Sequence, residues 1–491
     1  MTGAASRRGQ VWLVGAGPGA ADLITVRGLR ALRRADVLLL DALLPRGFLD
    51  GLGVSSRGKT VLRTGDCGAP PTPEAALRRA ASAAAAGLSV ARVQVGDPGV
   101  FGRAAEAIRL FDRLGIPWEI IPGPSACTAG PTAAGLPITR RGAGRSFAVA
   151  TARSAGGARH LEFPRADSLV VLMGVEALPD AAHRLLRDGW PPSTPATVVE
   201  RAAMPLERRV RGTLASIAAE AERAGIASPA FLLVGAAAVP VSPRPRILFT
   251  GLDPSRFRGL GDLLHWPALR LVPDEAGRAA LRGVLRGWRL RRHSRVVFTD
   301  ALAVRSFFDA LAEEGADARA LASARIDALQ EGAVEALAEF GLRPDAPFPA
   351  AEGEAVLLVG GSHVSSEGIR RFRAAGCEVT ALAPWRAVPN PELGRPLPAH
   401  DAVYFVSPSG VRAFASIYGR SAFEQEAWCL GEAVLVAVGR QGGRGRIVWP
   451  PGGLAEIGPW IKPEDEPLVE RVEGPVAKGK ACLRRRARVA P

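Results

Sequence analysis

The sequence is poor in the residues that build disulfide frameworks and zinc centres. Its 491 residues contain five cysteines and six histidines, and no C-x-x-C pair occurs. The cysteines stand singly at Cys67, Cys127, Cys377, Cys429 and Cys482. This spacing argues against a disulfide framework or a metal site and fits reduced thiols. We therefore expect a cytoplasmic protein that holds no metal.

Long apolar runs are missing as well. No stretch reaches the roughly 18 to 20 apolar residues that a membrane helix needs. The N-terminal MTGAASRRGQ has no apolar segment after its arginines, which speaks against a secretory signal. Hydrophobic residues nevertheless make up 47% of the chain, and this content supports real cores. The sequence predicts a folded protein with no membrane partner.

Lysine is scarce in a chain that is otherwise strongly basic. The formal net charge is +15, from 63 basic and 48 acidic residues, and only four of the basic residues are lysine. A GC-rich genome would explain the excess of arginine, glycine and alanine. The functional interpretation is an acidic partner, either nucleic acid or a polycarboxylate substrate. No basic stripe or basic-aromatic cluster accompanies the charge, so we expect no nucleic-acid partner.

Apolar runs alternate with helix-forming segments through the first half. The strand-like runs cover residues 11–14, 37–40, 90–95, 118–121, 169–173 and 231–234. The segments between them are rich in alanine, arginine and leucine, as helices are. This alternation predicts an α/β domain with largely parallel strands. The proline-rich VPVSPRPR that follows is typical of a linker.

The second half contains a weak internal repeat. VVFTDALAVRSFF (296–308) and VYFVSPSGVRAF (403–414) each combine a strand, a polar turn and a helix containing V-R-x-F. The two copies lie about one small domain apart, which predicts a duplicated, two-lobed α/β unit. From residue 461 the chain is charged and lacks periodicity, so we expect a disordered tail there.

The stretch VWLVGAGPGAADLITVRG (11–28) leaves open whether its loop binds a dinucleotide or a different ligand. It satisfies the dinucleotide pattern G-x-G-x-x-G/A, and Asp41 follows the next strand at a distance suited to a ribose hydroxyl. However, Pro18 removes one amide donor, and the helix should begin only near Asp22 or Thr25, either of which can cap it. A late start moves the helix amides away from a pyrophosphate. The motif alone is therefore weak.

Two further loops indicate what the first one does. GDPGVFGR (96–103) and PGPSACTAGPTAAGLPITRRG (122–142) each follow a strand-like run and are rich in glycine and proline. Each loop alone is typical of an ordinary turn. Three such loops at strand ends of one domain predict a ligand cleft lined by backbone.

Together these motifs resemble the tetrapyrrole methylases. GAGPG with Asp22 and Thr25, LLLDALL, GDPGVFGR, IPGPSA, AGLPITRRG, VVLMGV and SPAFLLVG occur in that family's order over residues 9–240. AGLPITRRG and the spacing are most similar to the uroporphyrinogen-III C-methyltransferases, which make precorrin-2 for sirohaem and cobalamin. The resemblance implies a two-lobed α/β domain, S-adenosyl-L-methionine as methyl donor and a homodimer.

The resemblance also implies a set of residues that contact the donor. Carried over by position, they are Pro18, Val95, Gly96, Asp97, Val100, Ser125, Ala126, Met173 and Ala202. Glycine permits close approach of the ligand, and a carboxylate such as Asp97 can accept hydrogen bonds from its ammonium group. Met173 can pack on the adenine ring.

On the substrate side the chain departs from the family pattern. The resemblance gives Asp41 the role of base, within LDAL where the family usually has Tyr-Asp-Arg-Leu. In the family a lysine acts as the acid, and Arg63 is the cation nearest to that position in this sequence. An arginine would bind a carboxylate rather than give up a proton. Arg103, Arg140 and Arg141 are suited to clamp the carboxylates of a tetrapyrrole. The sequence therefore supports the identity of the methyl donor better than the identity of the tetrapyrrole that accepts the methyl group.

The segment FVSPSGVRAF resembles the signature of uroporphyrinogen-III synthase, a similarity that runs from about residue 246 to 451. That family has two flavodoxin-like lobes and cyclises hydroxymethylbilane without a cofactor. The implied substrate-binding residues are Thr299, Ser407, Ser409 and Gly410. The last three would bind a substrate carboxylate through their backbone amides at the start of a helix. Threonines of the family are absent from QEGAVEAL and LGEAVLVA, and Trp385 replaces a common tyrosine.

The predicted organisation is a two-lobed methylase domain (9–240), a linker (241–246), a two-lobed flavodoxin-like synthase-type domain (247–455) and the charged tail (461–491). The leading hypothesis is a bifunctional enzyme that makes uroporphyrinogen III and methylates it to precorrin-2. A second hypothesis keeps the methyltransferase but assigns another corrin precursor and an inactive second half. From a different class, an NAD(P)-dependent oxidoreductase with an appended binding module stays open.

Overall fold

Four five-stranded sheets form the framework of the protein. The computed structural model describes residues 9–64, 73–152, 162–242, 244–288, 293–345, 351–361 and 366–450. Two sheets belong to the first half of the chain and two to the second. The predicted tail 461–491, residue 243 of the linker, Cys67 and Cys482 lie outside these residues, and the domain boundaries stay a prediction.

The first sheet is entirely parallel, with strand order β3-β2-β4-β1-β5. Its strands are β1 Val11–Gly15, β2 Val37–Leu40, β3 Thr60–Arg63, β4 Val90–Gln94 and β5 Trp118–Ile121. Its helices are α1 Val26–Arg34, α2 Phe48–Gly51, α3 Pro73–Ala85 and α4 Ala104–Leu114. Every residue of β1, β2 and β4 is buried, as expected of parallel strands that are covered on both faces.

The second sheet is mixed, with strand order β6-β7-β10-β8-β9. Its elements are α5 Ala126–Ala133, β6 Phe147–Thr151, β7 Ser168–Leu172, α6 Leu178–Arg187, β8 Pro195–Glu200, β9 Arg208–Thr213, α7 Ile217–Arg223 and β10 Ala230–Gly235. Only β6 and β7 pair in parallel, while β10–β7, β10–β8 and β8–β9 are antiparallel. The expectation of largely parallel strands therefore fails here, because a short loop such as 201–207 can join only antiparallel neighbours.

The third sheet is parallel, with strand order β12-β11-β18-β19-β20. Its strands and helices are β11 Arg246–Phe249, β12 Asp262–His265, β18 Ala402–Phe405, α12 Pro408–Tyr418, β19 Ala427–Cys429, α13 Glu432–Arg440 and β20 Gly445–Ile447. The chain leaves this lobe after β12 and returns to it at β18. The intervening residues form the other lobe.

The fourth sheet lies in the lobe formed between β12 and β18, and its strand order is β13-β17-β16-β14-β15. We call this lobe the inserted lobe and the lobe of the third sheet the third lobe. Its elements are β13 Leu269–Pro273, α8 Glu275–Trp288, β14 Arg295–Phe298, α9 Ala301–Glu313, β15 Arg325–Ala328, α10 Glu331–Glu339, β16 Ala355–Gly361, α11 Ser366–Ala374 and β17 Glu378–Pro389. The two copies of the sequence repeat form β14–α9 and β18–α12. Each lobe thus contains one copy, and a two-lobed α/β unit is confirmed.

Within the described ranges no helix is long and apolar enough to cross a membrane. No group of three or more His, Cys, Asp or Glu side chains suited to a metal ion occurs among the same residues. Cys127, Cys377 and Cys429 are buried free thiols.

Candidate cofactor and substrate site

Three glycine-rich loops meet at the carboxyl ends of β1, β4 and β5. A Cβ on Gly15 would lie 2.5 Å from the amide nitrogen of Gly123 and 2.7 Å from the carbonyl oxygen of Gly96. Gly17 and Gly96 exchange backbone hydrogen bonds, with N–O distances of 3.3 and 2.7 Å. Because backbones approach this closely only where side chains are absent, glycine is required at the contact. The loops predicted to form one cleft are therefore adjacent.

The first helix begins well after these glycines. Thr25 is its N-cap, and the Oγ1 atom accepts a hydrogen bond from Gly28 N at 3.1 Å. Asp22 lies in a short 3-10 helix at Ala21–Leu23 and does not cap α1. Of the two residues predicted as possible caps, Thr25 is therefore the one that caps α1. A pyrophosphate bound at GAGPG would need free helix amides beside that loop. The free amides of α1 instead lie several residues further along the chain.

Asp97 ties two of the loops together. Its Oδ1 accepts a hydrogen bond from Gly99 N at 2.7 Å, and its Oδ2 accepts one from Gly123 N at 3.1 Å. A carboxylate has about four lone-pair sites, so two of them stay available to a ligand. Asp97 therefore shapes the cleft in addition to any role in binding the donor.

The remaining residues predicted for the donor site come from both lobes of the first half. Ser125 caps α5 and accepts from Cys127 N, and Ala126 N would lie 3.3 Å from a Cβ on Gly96. Val100 and Ala202 belong to the apolar cluster beneath α5. Pro18 and Val95 precede Gly19 and Gly96 within the first two loops. Met173 is 40% exposed just beyond β7.

Backbone strain is concentrated in three loops around the cleft. In the described residues six non-glycine positions have positive φ, namely Phe101, Arg103, Met173, Arg201, Ala203 and Leu206. They lie after β4, β7 and β8. Such conformations cost about 1–3 kcal/mol each and collect at functional sites. The strained conformations are not readable from the sequence, because nothing in these residue types demands them.

Met204 is a contact that sequence reasoning missed. A Cβ on Gly19 would lie 2.1 Å from Cε of Met204, so this side chain rests directly on the GAGPG loop. Met204 is buried and closes one side of the loop. The available signal was its position, since Met204 lies two residues after Ala202, which was predicted for the donor site.

Asp41 lies beyond β2 on the substrate side and is half-buried. Its Oδ1 accepts a hydrogen bond from Leu43 N at 2.9 Å, and its Oδ2 bonds to none of the described residues. The neighbouring Arg92 side chain on β4 is buried, and its Nη1 lacks a hydrogen-bond partner in the described part of the chain. Burial lowers the pKa of Arg92, whereas the charge of Asp41 raises it. Arg92 was not predicted.

Two of the arginines predicted to bind the substrate, Arg63 and Arg103, already bind groups within the protein. Arg63 donates to the carbonyl oxygens of Leu44 and Pro45 at 2.9 and 2.8 Å, which holds the loop after Asp41. Arg103 forms ion pairs with Glu74 at 2.6 Å and Glu106 at 3.3 Å.

Of the other two predicted arginines, Arg140 is bound within the protein and Arg141 is not bound to a described carboxylate. Arg140 donates through Nη2 to the carbonyl of Val239 in the second lobe. Arg141 is exposed and makes no ion pair with a described carboxylate. The four arginines therefore do not form one free cluster, and Arg141 keeps the guanidinium that a carboxylate clamp needs.

In the second half the predicted residues lie in separate lobes. Thr299 donates to Asp300 Oδ2 at 2.5 Å, and Asp300 caps α9. Ser407 caps α12 by accepting from Gly410 N at 3.1 Å. The amide of Gly410 is thus used by the cap, and a role of these residues in substrate binding stays a prediction. Ser409 lies in the first turn of α12, and its amide is not the one that the Ser407 cap uses.

A cavity of 2570 Å³ lies between the two halves of the chain. The first half contributes Gly19, Met204 and Arg46 to its wall, and the second half contributes Thr299 and Trp385. Of the residues predicted for the two sites, only Thr299 lines this cavity, and Gly19 is the one glycine of the GAGPG loop that borders it.

Comparisons with known proteins assign both halves. Residues 10–218 match the family of Tetrapyrrole (Corrin/Porphyrin) Methylases, and residues 258–442 match Uroporphyrinogen-III synthase HemD. Uroporphyrinogen-III C-methyltransferase of Bacillus subtilis is 31% identical over 401 residues, which are 76% of this chain and 80% of that protein. The Pseudomonas aeruginosa protein of the same name is 38% identical over 46% of this chain and 93% of its own length.

Other relatives match over about half of this chain. A siroheme synthase of Gluconacetobacter diazotrophicus is 39% identical over 46% of this chain, and the match spans 49% of that protein. The crystal structure of uroporphyrin-III C-methyltransferase from Thermus thermophilus is 38% identical, with a TM-score of 0.40, over 47% of this chain and 94% of its own. The chain belongs to the tetrapyrrole methylase family and carries a uroporphyrinogen-III synthase-type domain in its second half.

Proposed function

We propose that the first half transfers methyl groups from S-adenosyl-L-methionine to uroporphyrinogen III and so produces precorrin-2. The convergence of Gly15, Gly96 and Gly123 carries the proposal, because it opens a backbone-lined cleft at the ends of three parallel strands. The match to the tetrapyrrole methylases supports it. A cytoplasmic location and a homodimer are parts of the same proposal.

The cleft fits the donor better than a dinucleotide. Asp97 retains carboxylate lone pairs for an ammonium group, and Met173 offers an exposed thioether for an adenine ring. NAD(P) would require helix amides beside GAGPG, and α1 begins only at Val26. The oxidoreductase hypothesis is therefore disfavoured by the geometry of the loop.

Asp41 is the proposed base of the methyl transfer. A nucleophilic pyrrole carbon attacks the sulfonium methyl in line, the carbon–sulfur bond of the donor breaks, and a proton must then leave the methylated ring. The free Oδ2 of Asp41 can accept that proton. The buried Arg92 lies beside it, and its Nη1 has no hydrogen-bond partner among the described residues.

The second half is proposed to cyclise hydroxymethylbilane to uroporphyrinogen III. Thr299 and Trp385 face the large cavity from the inserted lobe, and residues 258–442 match the synthase family. The threonines missing from QEGAVEAL and LGEAVLVA speak for weakened activity. The competing hypothesis, an inactive second half with another corrin precursor as acceptor, draws support from the occupied Arg63 and Arg103.

One assay separates these hypotheses. The full chain is incubated with hydroxymethylbilane and methyl-labelled S-adenosyl-L-methionine, and a second reaction starts from uroporphyrinogen III. A labelled, dimethylated product in both reactions supports both activities. Product from uroporphyrinogen III alone, with only the type I isomer from hydroxymethylbilane, identifies an inactive second half. If neither reaction incorporates label, the acceptor is wrong, and if NADP alone binds in equilibrium dialysis, the donor is wrong.

A further inference from the structure

The loop between β8 and β9 contacts both halves of the chain. It consists of residues 201–207 of the methylase half, and we call it the bridging loop. Ala202 and Met204 pack on the methylase side, whereas Leu206 belongs to the core of the third lobe. The bridging loop is therefore a direct physical link between the methyl-donor cleft and the synthase-type half.

On the methylase side the bridging loop packs against two parts of the donor cleft. Met204 rests on Gly19 of the GAGPG loop. Ala202 packs against α5, where its Cβ lies 3.5 Å from a Cβ added to Gly130. The same helix is capped by Ser125, which was predicted to contact the donor. The position of the bridging loop thus affects two of the segments that shape the cleft.

On the synthase side Leu206 is anchored in the third lobe. Its side chain is 0% exposed and packs in one hydrophobic cluster with Leu248, Trp266 and Phe405. Its backbone N–H donates to the carbonyl oxygen of His265 at 2.7 Å. A residue of the methylase half therefore completes the core of the other half, and a buried leucine is a firm attachment because its apolar surface is removed from water.

Polar contacts make the bridging loop stiff between its two ends. Arg201 donates through Nε to the carbonyl oxygen of Pro205 at 2.9 Å, and it pairs with Glu392 of the synthase-type half at 3.3 Å. The carboxylate of Glu207 accepts a hydrogen bond from Ala203 N at 2.7 Å. These bonds close the loop on itself, so a displacement at its anchored end also moves its donor-side end.

The backbone of the bridging loop depends on contacts from outside it. Arg201, Ala203 and Leu206 have φ values of 53°, 60° and 63°. Non-glycine residues keep such strained conformations only where the surrounding structure enforces them. The third lobe supplies that constraint at Leu206, through its hydrophobic core and the carbonyl of His265.

We propose that Leu206 is a positioning residue for the methyl-donor site. Anchored in the third lobe, it holds Ala202 and Met204 against the segments that line the cleft. The synthase-type half is therefore part of the structure that supports donor binding. This inference rests on the proposed function, with S-adenosyl-L-methionine as the donor. Because Leu206 acts through the bridging loop, its loss weakens donor binding and leaves the chemical step unchanged once the donor is bound.

Truncation of the anchor in the full chain tests the proposal. Leu206→Ala should raise the Kd for S-adenosyl-L-methionine about fivefold, as expected of a residue that is coupled to a site without touching its ligand. Turnover of uroporphyrinogen III at saturating donor should stay at the wild-type value. Leu206→Met, which conserves the volume and apolar character of the side chain, should restore the wild-type Kd. Isothermal titration calorimetry and methyl-label transfer measure the two quantities.

Val438→Ala is the matched control for loss of core packing. Val438 is also 0% exposed in the same cluster, but it lies on α13, at the edge of the third sheet opposite β12. This variant should lower Tm and keep the wild-type donor Kd. A wild-type Kd in Leu206→Ala, or equal increases in Leu206→Ala and Val438→Ala, overturns the proposal. If the wild-type chain binds no S-adenosyl-L-methionine, the proposed function fails instead.

A surface substitution tests the same link without opening a cavity. Glu392→Ala removes the ion pair to Arg201 from the synthase side, where the carboxylate side chain is 41% exposed. The donor Kd should rise about twofold, since an exposed ion pair contributes little. Glu424→Ala, an exposed acid that makes no ion pair with a described residue, should keep the wild-type Kd. If Leu206→Ala does not fold, this pair decides the test, and equal Kd values for the two variants overturn the proposal.

Discussion

Arg395 of the synthase-type half reaches Glu200 at the end of β8 in the methylase half, with Nη1 2.7 Å from Oε1. The Glu200 side chain is 0% exposed and also pairs with the buried Arg208 through Oε2. One carboxylate thus serves both halves of the chain. A buried acid needs such pairing, because desolvation without it is costly.

Removal of this contact should loosen the junction between the halves. We expect Arg395→Ala to cost about 1 kcal/mol rather than the several that a fully buried pair costs, because Arg395 is 38% exposed. Differential scanning calorimetry of the full chain should show a decrease in Tm of about 2 to 4 °C. Arg420→Ala, an exposed arginine without a described partner, is the control. Equal Tm values for both variants would contradict the structural role of the pair.

A methyl group at Gly15 should block the donor site. In Gly15→Ala the new Cβ would lie 2.5 Å from Gly123 N and 2.7 Å from Gly96 O, and because both of these atoms are backbone, the loops must separate. We expect the Kd for S-adenosyl-L-methionine to rise about tenfold or more, or about 1.4 kcal/mol. Isothermal titration calorimetry measures this change.

Gly283→Ala is the matched control for that substitution. Gly283 lies in α8, and nothing lies within 4 Å of an added Cβ. The change should leave donor affinity unaltered and stabilise the helix by about 0.5–1 kcal/mol. Unchanged donor affinity in Gly15→Ala would show that the three-loop junction does not shape the donor site.

Neutralising the proposed base should separate turnover from binding. Asp41→Asn keeps the size of the side chain but cannot accept the proton, so kcat should decrease about 100-fold or more. Affinity for S-adenosyl-L-methionine should stay at the wild-type value. Methyl-label transfer and equilibrium dialysis measure the two quantities. Asp180→Asn, an exposed acid in the first turn of α6, should leave both unchanged. Wild-type turnover in Asp41→Asn would remove Asp41 from the reaction.

The thiol of Cys429 should resist alkylation in the folded protein. Burial raises the pKa of Cys429 to about 11, so about one thiol in a thousand is ionised at pH 8. Iodoacetamide labelling followed by peptide mass spectrometry should find Cys429 unmodified until the chain is unfolded. Rapid labelling in native buffer would contradict the burial.

The same shift predicts a direction for alkaline stability. The folded thiol retains its proton up to about pH 11, whereas the unfolded thiol loses it near the ordinary value of 9.0. The unfolded state therefore binds fewer protons in this interval, and stability should decrease as the pH rises through it. Tm measured from pH 8 to 11 should decrease less steeply in Cys429→Ala than in the wild type. Parallel curves would contradict the shift.

Strands were predictable where the apolar pattern is continuous and not where charges interrupt it. β1, β2 and β5 lie within one residue of the predicted runs. β9, with the sequence RRVRGT, was missed because its arginines suggest a solvated segment. The structure buries Arg208 by pairing it with Glu200, its partner on the neighbouring strand β8, and Arg209 by pairing it with Asp262, which is distant in sequence. Such pairing is invisible before the chain is folded.

The sequence by itself determined the local geometry of the donor loops. GAGPG, GDPGV and PGPSA specify turns at strand ends, and Thr25 specifies where α1 begins, because glycine, proline and capping hydroxyls act within a few residues of themselves. Only the tertiary structure decided which arginines are free for a substrate. Arg63 and Arg103 bind groups within the methylase half, whereas Arg46 and Arg270 line the cavity between the halves. The reason is that a guanidinium takes whichever acceptor the fold brings within reach, and most of those acceptors lie far away along the chain.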